Sequence, residues 1–361
     1  MPVLDAFKAI ACLMIVMHHL AAYGPMSDVA YPLFPGLIDW LYQYGRMAVQ
    51  AFFVMAGFLA ARKFAPHGES LVASPWPIIG QRYVRLAVPY LVALMLAIGC
   101  AALAREWMNH DSIPAAPSIP QLLAHALLLQ DLLHQEALSA GVWYIAIDFQ
   151  LFALTALVLW LPRRVGFPSE KIRATAPLLV AALTLSSLFV FNRNHAWDQS
   201  AVYFFGSYGL GMLGYWASNR RHSKLWLGLL VALAIAALLV EFRERIAVAG
   251  ILMLALALSK PSSTMGNWAA FRPLAYLGRI SFSVFLVHFP LLLLVNATFF
   301  HIFPQQPVAN ALGMLLAIGI SILGGGLFYT WVENRPFSKK IHLLLPAGFL
   351  SSGLLAASGI S

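Results

Sequence analysis

The chain has 361 residues, 61% of them apolar and 10% Asp, Glu, Lys or Arg, against about 25% charged in an ordinary soluble domain. At ~20 apolar residues per transmembrane helix, this length holds about ten or eleven spans with short connections and no sizeable soluble domain. Most soluble enzymes, nucleic-acid binders and disulfide-stapled secreted proteins are thereby excluded, and the formal charge of +9 reads first as membrane topology.

Apolar runs long enough to span occur at 4–23, 45–62, 83–104, 141–162, 175–192, 199–217, 225–241, 246–259, 274–299, 308–331 and 341–359. The fold class they predict is all-α, a polytopic transmembrane helical bundle. The first run contains Asp5, Lys8, His18 and His19 and lacks a basic leader, so it reads as a retained span rather than a signal peptide. The run at 246–259 is marginal, at about 21 Å of helix. Between the third and fourth runs, SIPAAPSIP leads into QLLAHALLLQDLLHQ. Leucines at helical spacing around His125, Asp131 and His134 predict an interfacial or re-entrant helix there. Cys12 and Cys100 lie in apolar runs and offer neither a disulfide framework nor a metal-ligand spacing; they read as packing residues, and no metal is expected.

The connections set the orientation. One set of loops holds Arg62, Lys63, Arg82, Arg85, Arg163, Arg164, Lys171, Arg173, Arg220, Arg221, Lys224, Lys260, Arg272, Arg279, Arg335, Lys339 and Lys340. The opposite set holds only Arg46, Arg105, Arg193, Arg243 and Arg245. Unbroken alternation of this kind predicts a cytoplasmic N-terminus, and eleven spans would leave the C-terminus outside.

Ionisable residues inside a membrane are expensive and mark candidate functional positions. In span 1, Lys8 and His19 are eleven residues apart, which returns to within about 20° of one helical face and separates them by about 16 Å. Lys8 then sits near the cytoplasmic mouth and His19 in the outer third. Lys8 could equally snorkel and pair with Asp5. Ahead of span 3, Arg82 and Arg85 share a face and form a fork suited to phosphate, or serve as ordinary positive-inside anchors. Span 4 reads GVWYIAIDFQLFAL. It places Asp148 and Gln150 about 10 Å below the outer surface, at a depth similar to His19, so a histidine partner for Asp148 is attractive. Span 9, LGRISFSVFLVHFPLLLL, carries His288 near mid-membrane with Pro290 just beyond to loosen the helix. Glu333, at the inner end of span 10, could pair with any of the inner cations.

Taken in order, these segments resemble the acyltransferase-3 family of integral membrane acyltransferases. LDAFKAIACLMIVMHHL has the family's basic residue, ten intervening positions and histidine at Lys8 and His19. AFFVMAGFLAARKF resembles its FFVLSGFL segment, with Ala56 where Ser is frequent, and RYVRLAVPY its R-x-x-R-L-x-P-x-Y segment at Arg82, Arg85, Leu86, Pro89 and Tyr90. WYIAIDFQLFAL, LGRISFSVFLVHFPL and WVENRPF resemble its W-S-L-x-x-E-x-x-F-Y, S-Y-x-x-Y-L-x-H and E-x-P elements. Lys8 replaces the more frequent Arg, Asp148 replaces Glu, and two residues rather than one separate Glu333 from Pro336. The resemblance covers 4–338. Residues 1–340 read as the family's transmembrane domain of ten core spans, with 341–361 as an added eleventh.

The resemblance implies an O-acyltransferase in the bacterial inner membrane. It would take an acyl group, usually acetyl, from cytoplasmic acyl-CoA and place it on a hydroxyl of a surface or exported glycan, such as a lipopolysaccharide or exopolysaccharide. His19 would be the general base. Asp148 would orient His19 or bind the sugar, and His288 would stabilise the oxyanion or bind the acceptor. Lys8, Arg82 and Arg85 would hold the CoA phosphates. Trp143, Tyr144 and Gln150 would contact the acceptor, although Trp143 and Tyr144 suit an interfacial aromatic belt equally well. The rival reading is a proton-coupled secondary transporter using the buried His, Asp and Lys as a relay. Against it, the paired repeats and interrupted helices common in transporters are not found.

Overall fold

The computed structural model describes residues 2–165, 169–259, 271–336 and 338–358; Lys260 of the basic set and Phe337 of the WVENRPF segment lie outside them. The described elements are helical: α1 (Pro2–Ala22), α2 (Pro25–Ala30), α3 (Pro35–Tyr44), α4 (Ala48–Phe64), α5 (Pro75–Trp107), α6 (Ile119–Ala126), α7 (Val142–Arg164), α8 (Ser169–Phe189), α9 (Ala201–Ser218), α10 (Ser223–Val240), α11 (Glu244–Leu258), α12 (Arg272–Ile302), α13 (Pro307–Phe328) and α14 (Lys339–Ala357). Every apolar run read from the sequence coincides with one of these helices, and the chain is a multi-pass membrane protein.

Eight of the described helical segments are long and apolar enough to cross a bilayer, fewer than the eleven runs expected. The shortfall falls on α9, α11 and α14. The α9 sequence, AVYFFGSYGLGMLGYWAS, spends its length on Gly, Tyr and Trp for close packing and is buried on nearly every side. Helix α11 has 15 residues, and in α14 the described stretch Leu344–Ala357 is a shorter apolar helix. The helix expected between spans 3 and 4 is shorter than its leucine spacing suggests. Helix α6 opens on a capping box, in which Ser118 accepts from the Gln121 N–H while the Gln121 side chain caps Ser118, but it runs for only eight residues. Leu128 then takes φ 58° and His134 φ 51°, left-handed conformations that end the helix and fold residues 127–141 into turns. By contrast, α12 continues unbroken through Pro290.

The chain folds as two compact units, Met1–Phe7 with Met47–Val84 and Ala146–Arg272, and Lys8–Arg46 with Arg85–Ile145 and Pro273–Ser361. In the first, α4 and α9 run parallel in steps of four residues. Ser207 Oγ donates to Gln50 Oε1 at 2.7 Å, the Phe58 and Tyr215 rings meet edge to face, and Trp216 Nε1 donates to the Ala65 carbonyl at 2.6 Å. Gly57 lies against the Tyr208 carbonyl and Gly211 against the Val54 carbonyl, so a methyl at either position would strike backbone. This is the small-residue approach by which membrane helices gain packing without a hydrophobic driving force.

In the second unit, α1 and α12 run parallel in steps of about seven. Cys12 Sγ donates to the Ser281 carbonyl at 3.4 Å, His19 meets His288 at 2.7 Å, and the Met26 N–H donates to Asn296 Oδ1 at 3.1 Å. The α1 rungs at Cys12 and His19 keep one seam of each helix facing the other over about 10 Å, and Met26, on α2, continues the contact along α12. That seam carries the two histidines.

Candidate active site

The histidine pair lies in the second unit. His288 is fully buried, and its Nδ1–H donates to the Phe285 carbonyl at 2.7 Å, with the Val284 carbonyl at 3.2 Å. A neutral imidazole carries one N–H, so its Nε2 is left as an acceptor. His19 Nδ1–H donates to that nitrogen, with the two rings nearly parallel, 9° apart. The proton on His19 is therefore held on Nδ1, and Nε2 keeps its lone pair. No protein hydrogen bond to His19 Nε2 is seen among the described residues. A backbone carbonyl thus fixes the tautomer of one histidine, which fixes the other, an orienting arrangement that suits a general base.

The walls around His19 are aromatic. Tyr23, one turn beyond His19 and just past the end of α1, stands edge-on to the ring with centroids 5.3 Å apart, and Phe289 does so at 6.4 Å. Gly141, at φ +81°, precedes α7; a side chain there would meet Phe285 at 3.0 Å and His19 Cε1 at 3.4 Å. Both the backbone conformation and the proximity of Phe285 call for glycine. His18 points away, its Nδ1–H donating to the Leu41 carbonyl of α3 at 3.0 Å, as its position off the Lys8–His19 stripe predicts.

Several expected partners differ. Asp148, buried in the first unit, is bound by Arg82, whose guanidinium also lies over the Phe152 ring at 5.3 Å. The partner of Asp148 is thus an arginine, and the group orienting His19 is His288. The expected Arg82–Arg85 fork divides in the same way. Arg82 is engaged with Asp148, while Arg85, exposed in the second unit, acts electrostatically on Glu333 together with Lys8. Glu333, on the π-helical turn Tyr329–Glu333 that ends α13, also accepts a hydrogen bond from the buried Ser283 Oγ at 2.5 Å.

Tyr144 packs edge-to-face on Phe285 at 5.3 Å, beside the half-buried Trp143. Gln150 is half-buried in the first unit, and its Nε2 is buried with no hydrogen-bond partner among the described residues. The second unit therefore gathers Lys8, His19, Arg85, Trp143, Tyr144 and His288, and the first Arg82, Asp148 and Gln150. Sequence reasoning missed Tyr23 and Gly141. The first could have been found four residues beyond His19 on the same face, and the second at the small-residue step SAG before span 4.

Comparison with known proteins gives two relatives. The "Putative peptidoglycan O-acetyltransferase YrhL" of Bacillus subtilis (strain 168) is 23% identical over 388 residues, covering 95% of this chain and 57% of its own. The "Regulator of hypoxia-inducible factor 1" of Caenorhabditis elegans is 23% identical over 198 residues, covering 51% of this chain and 38% of its own. The chain thus spans under two thirds of the length of each relative. No solved structure matches. The family profile described as an acyltransferase domain matches residues 1–331, almost the whole chain. The parallel helix seam and its histidine pair thus lie inside a stretch that matches one family from end to end, and the chain belongs to the acyltransferase-3 family.

Proposed function

We propose that this protein is a membrane O-acyltransferase that moves an acyl group, acetyl in the simplest case, from cytoplasmic acyl-CoA to a hydroxyl of a cell-surface or exported glycan. The observation that carries the reading is the histidine relay, which leaves Nε2 of His19 unprotonated. The family match and the similarity to a protein named as a peptidoglycan O-acetyltransferase support the reaction class. His19 Nε2 takes the proton of the acceptor hydroxyl as its oxygen attacks the thioester carbonyl. The tetrahedral intermediate collapses, the carbon–sulfur bond breaks, and the leaving CoA thiolate takes the proton back from His19. His288 holds the His19 ring in register throughout.

Lys8 and Arg85 bind the anionic CoA moiety in this scheme, with Glu333 balancing their charge beforehand. Arg82 is engaged with Asp148 in the first unit. Trp143 and Tyr144 contact the acceptor. The protein sits in the bacterial inner membrane with its N-terminus in the cytoplasm, ten core spans and an eleventh at α14, as the alternation of basic loops supports.

Purified full-length protein given acetyl-CoA and glycan should release CoA in proportion to glycan acylated, and His19→Ala should abolish release while leaving protein level intact. Solute uptake driven by a pH gradient, with no CoA release, would instead favour the transporter reading.

A further inference from the structure

We propose that Tyr23 and Tyr42 form the platform on which a saccharide ring of the acceptor lies while its hydroxyl meets His19 Nε2. The proposal rests on the acyl-transfer reading of the histidine relay.

Tyr23 borders the relay itself, and Tyr42 approaches the neighbouring His18 from another element. Tyr23 stands edge-on to His19 and to Phe289, at 5.3 Å and 5.4 Å. Tyr42, near the end of α3, lies 6.5 Å from the His18 ring, and His18 adjoins His19 at 5.3 Å. Tyr23 and Tyr42 are also within electrostatic range of each other. The cluster thus leads from a buried base to an open surface: His19 is 6% exposed, Tyr23 36% and Tyr42 60%.

Helix α3 is built to hold Tyr42 in place. Its buried face, Ile38 and Leu41, packs on Ala21, Met14 and Met17 of α1. The Leu41 carbonyl accepts from His18, and Gly45 approaches the His18 backbone so closely that a Cβ would lie 2.7 Å from His18 Cβ. Helix α3 thus buries one side and leaves Tyr42, beside His18, 60% exposed on the other.

Tyrosine supplies a flat apolar face and a hydroxyl at low conformational cost. That combination matches a pyranose, whose ring C–H groups lie on one face and whose hydroxyls ring its edge. A nucleotide phosphate would call for cations, and among the described residues the ring cluster itself contains none; Arg46 acts on His18 from its edge.

The test uses purified full-length protein, acetyl-CoA and, as acceptor probe, cell-envelope glycan stripped of its acyl groups by mild base. Tyr42→Ala should raise the acceptor KM tenfold or more while the KM for acetyl-CoA stays within twofold. Tyr42→Phe, which keeps the ring face, should stay within threefold on the acceptor KM. An unchanged acceptor KM in both Tyr42→Ala and Tyr23→Ala overturns the proposal, as does an equal loss of kcat and of both KM values, which would mark a structural role. If wild-type protein releases no CoA in the presence of the probe, the acyl-transfer reading itself fails and the platform fails with it.

Discussion

His288 accepts from His19 at Nε2 because its other nitrogen is committed to the Phe285 carbonyl. Removing that commitment should be costly although His288 need not touch substrate: His288→Ala should lower kcat by about a hundredfold while leaving the KM for acyl-CoA nearly unchanged in steady-state kinetics. Gly141→Ala should also impair transfer, since the φ of +81° penalises any side chain and the new methyl presses on Phe285, which packs beside His288; the left-handed conformation alone costs about 1–2 kcal/mol. The Arg82–Asp148 pair makes a different prediction. Arg82→Leu leaves a buried carboxylate without its cation and should cost about 3 kcal/mol in a thermal melt, with the Arg82→Leu/Asp148→Leu double variant recovering part of the loss. At this scale the sequence was half legible. The 100° step put Lys8 and His19 on one face and turned His18 away, but periodicity along one helix does not say which helix lies opposite. Hence Asp148 was expected against a histidine and is held by Arg82.

Helices α4 and α9 show what apolar runs reveal and what they conceal. Their boundaries follow from the sequence, yet their contact depends on Gly57 and Gly211 meeting backbone carbonyls, which no hydropathy profile registers. Gly211→Ala should force these helices apart and cost about 3 kcal/mol, read as a lowered melting temperature in detergent. The turns after α6 escaped sequence reasoning because helical leucine spacing continues past Leu128 although its backbone does not. They also hold a titratable strain. Burial pushes the Asp131 carboxyl up to about 6, and its Oδ2 is buried with no hydrogen-bond partner among the described residues. A carboxyl raised in the folded state takes its proton there first. Stability therefore falls as pH rises from the ordinary carboxylate range to about 6, and stays lowered above it. Asp131→Asn should stabilise the protein by about 1 kcal/mol at pH 8 and not at pH 4. Burial also lowers His125 to about 4, which costs stability as pH falls below the ordinary histidine range, but this contribution is common to both proteins and cancels in the comparison.

Across the whole molecule, composition and loop charge identified a multi-pass helical protein before any contact was known. Hydropathy is a weaker guide where a helix is buried by its neighbours, which is why α9 reads as a run in sequence but falls short of the apolarity a lone span needs. In the proposed mechanism His19, oriented by His288, is the base for acyl transfer to a glycan. Its most direct test is mass spectrometry of surface glycans from cells lacking the gene, complemented with wild-type protein or with His19→Ala at matched levels. Wild-type protein should restore a glycan heavier by one acyl group per modified sugar and His19→Ala should not; equal acylation in the two complemented strains would contradict the account.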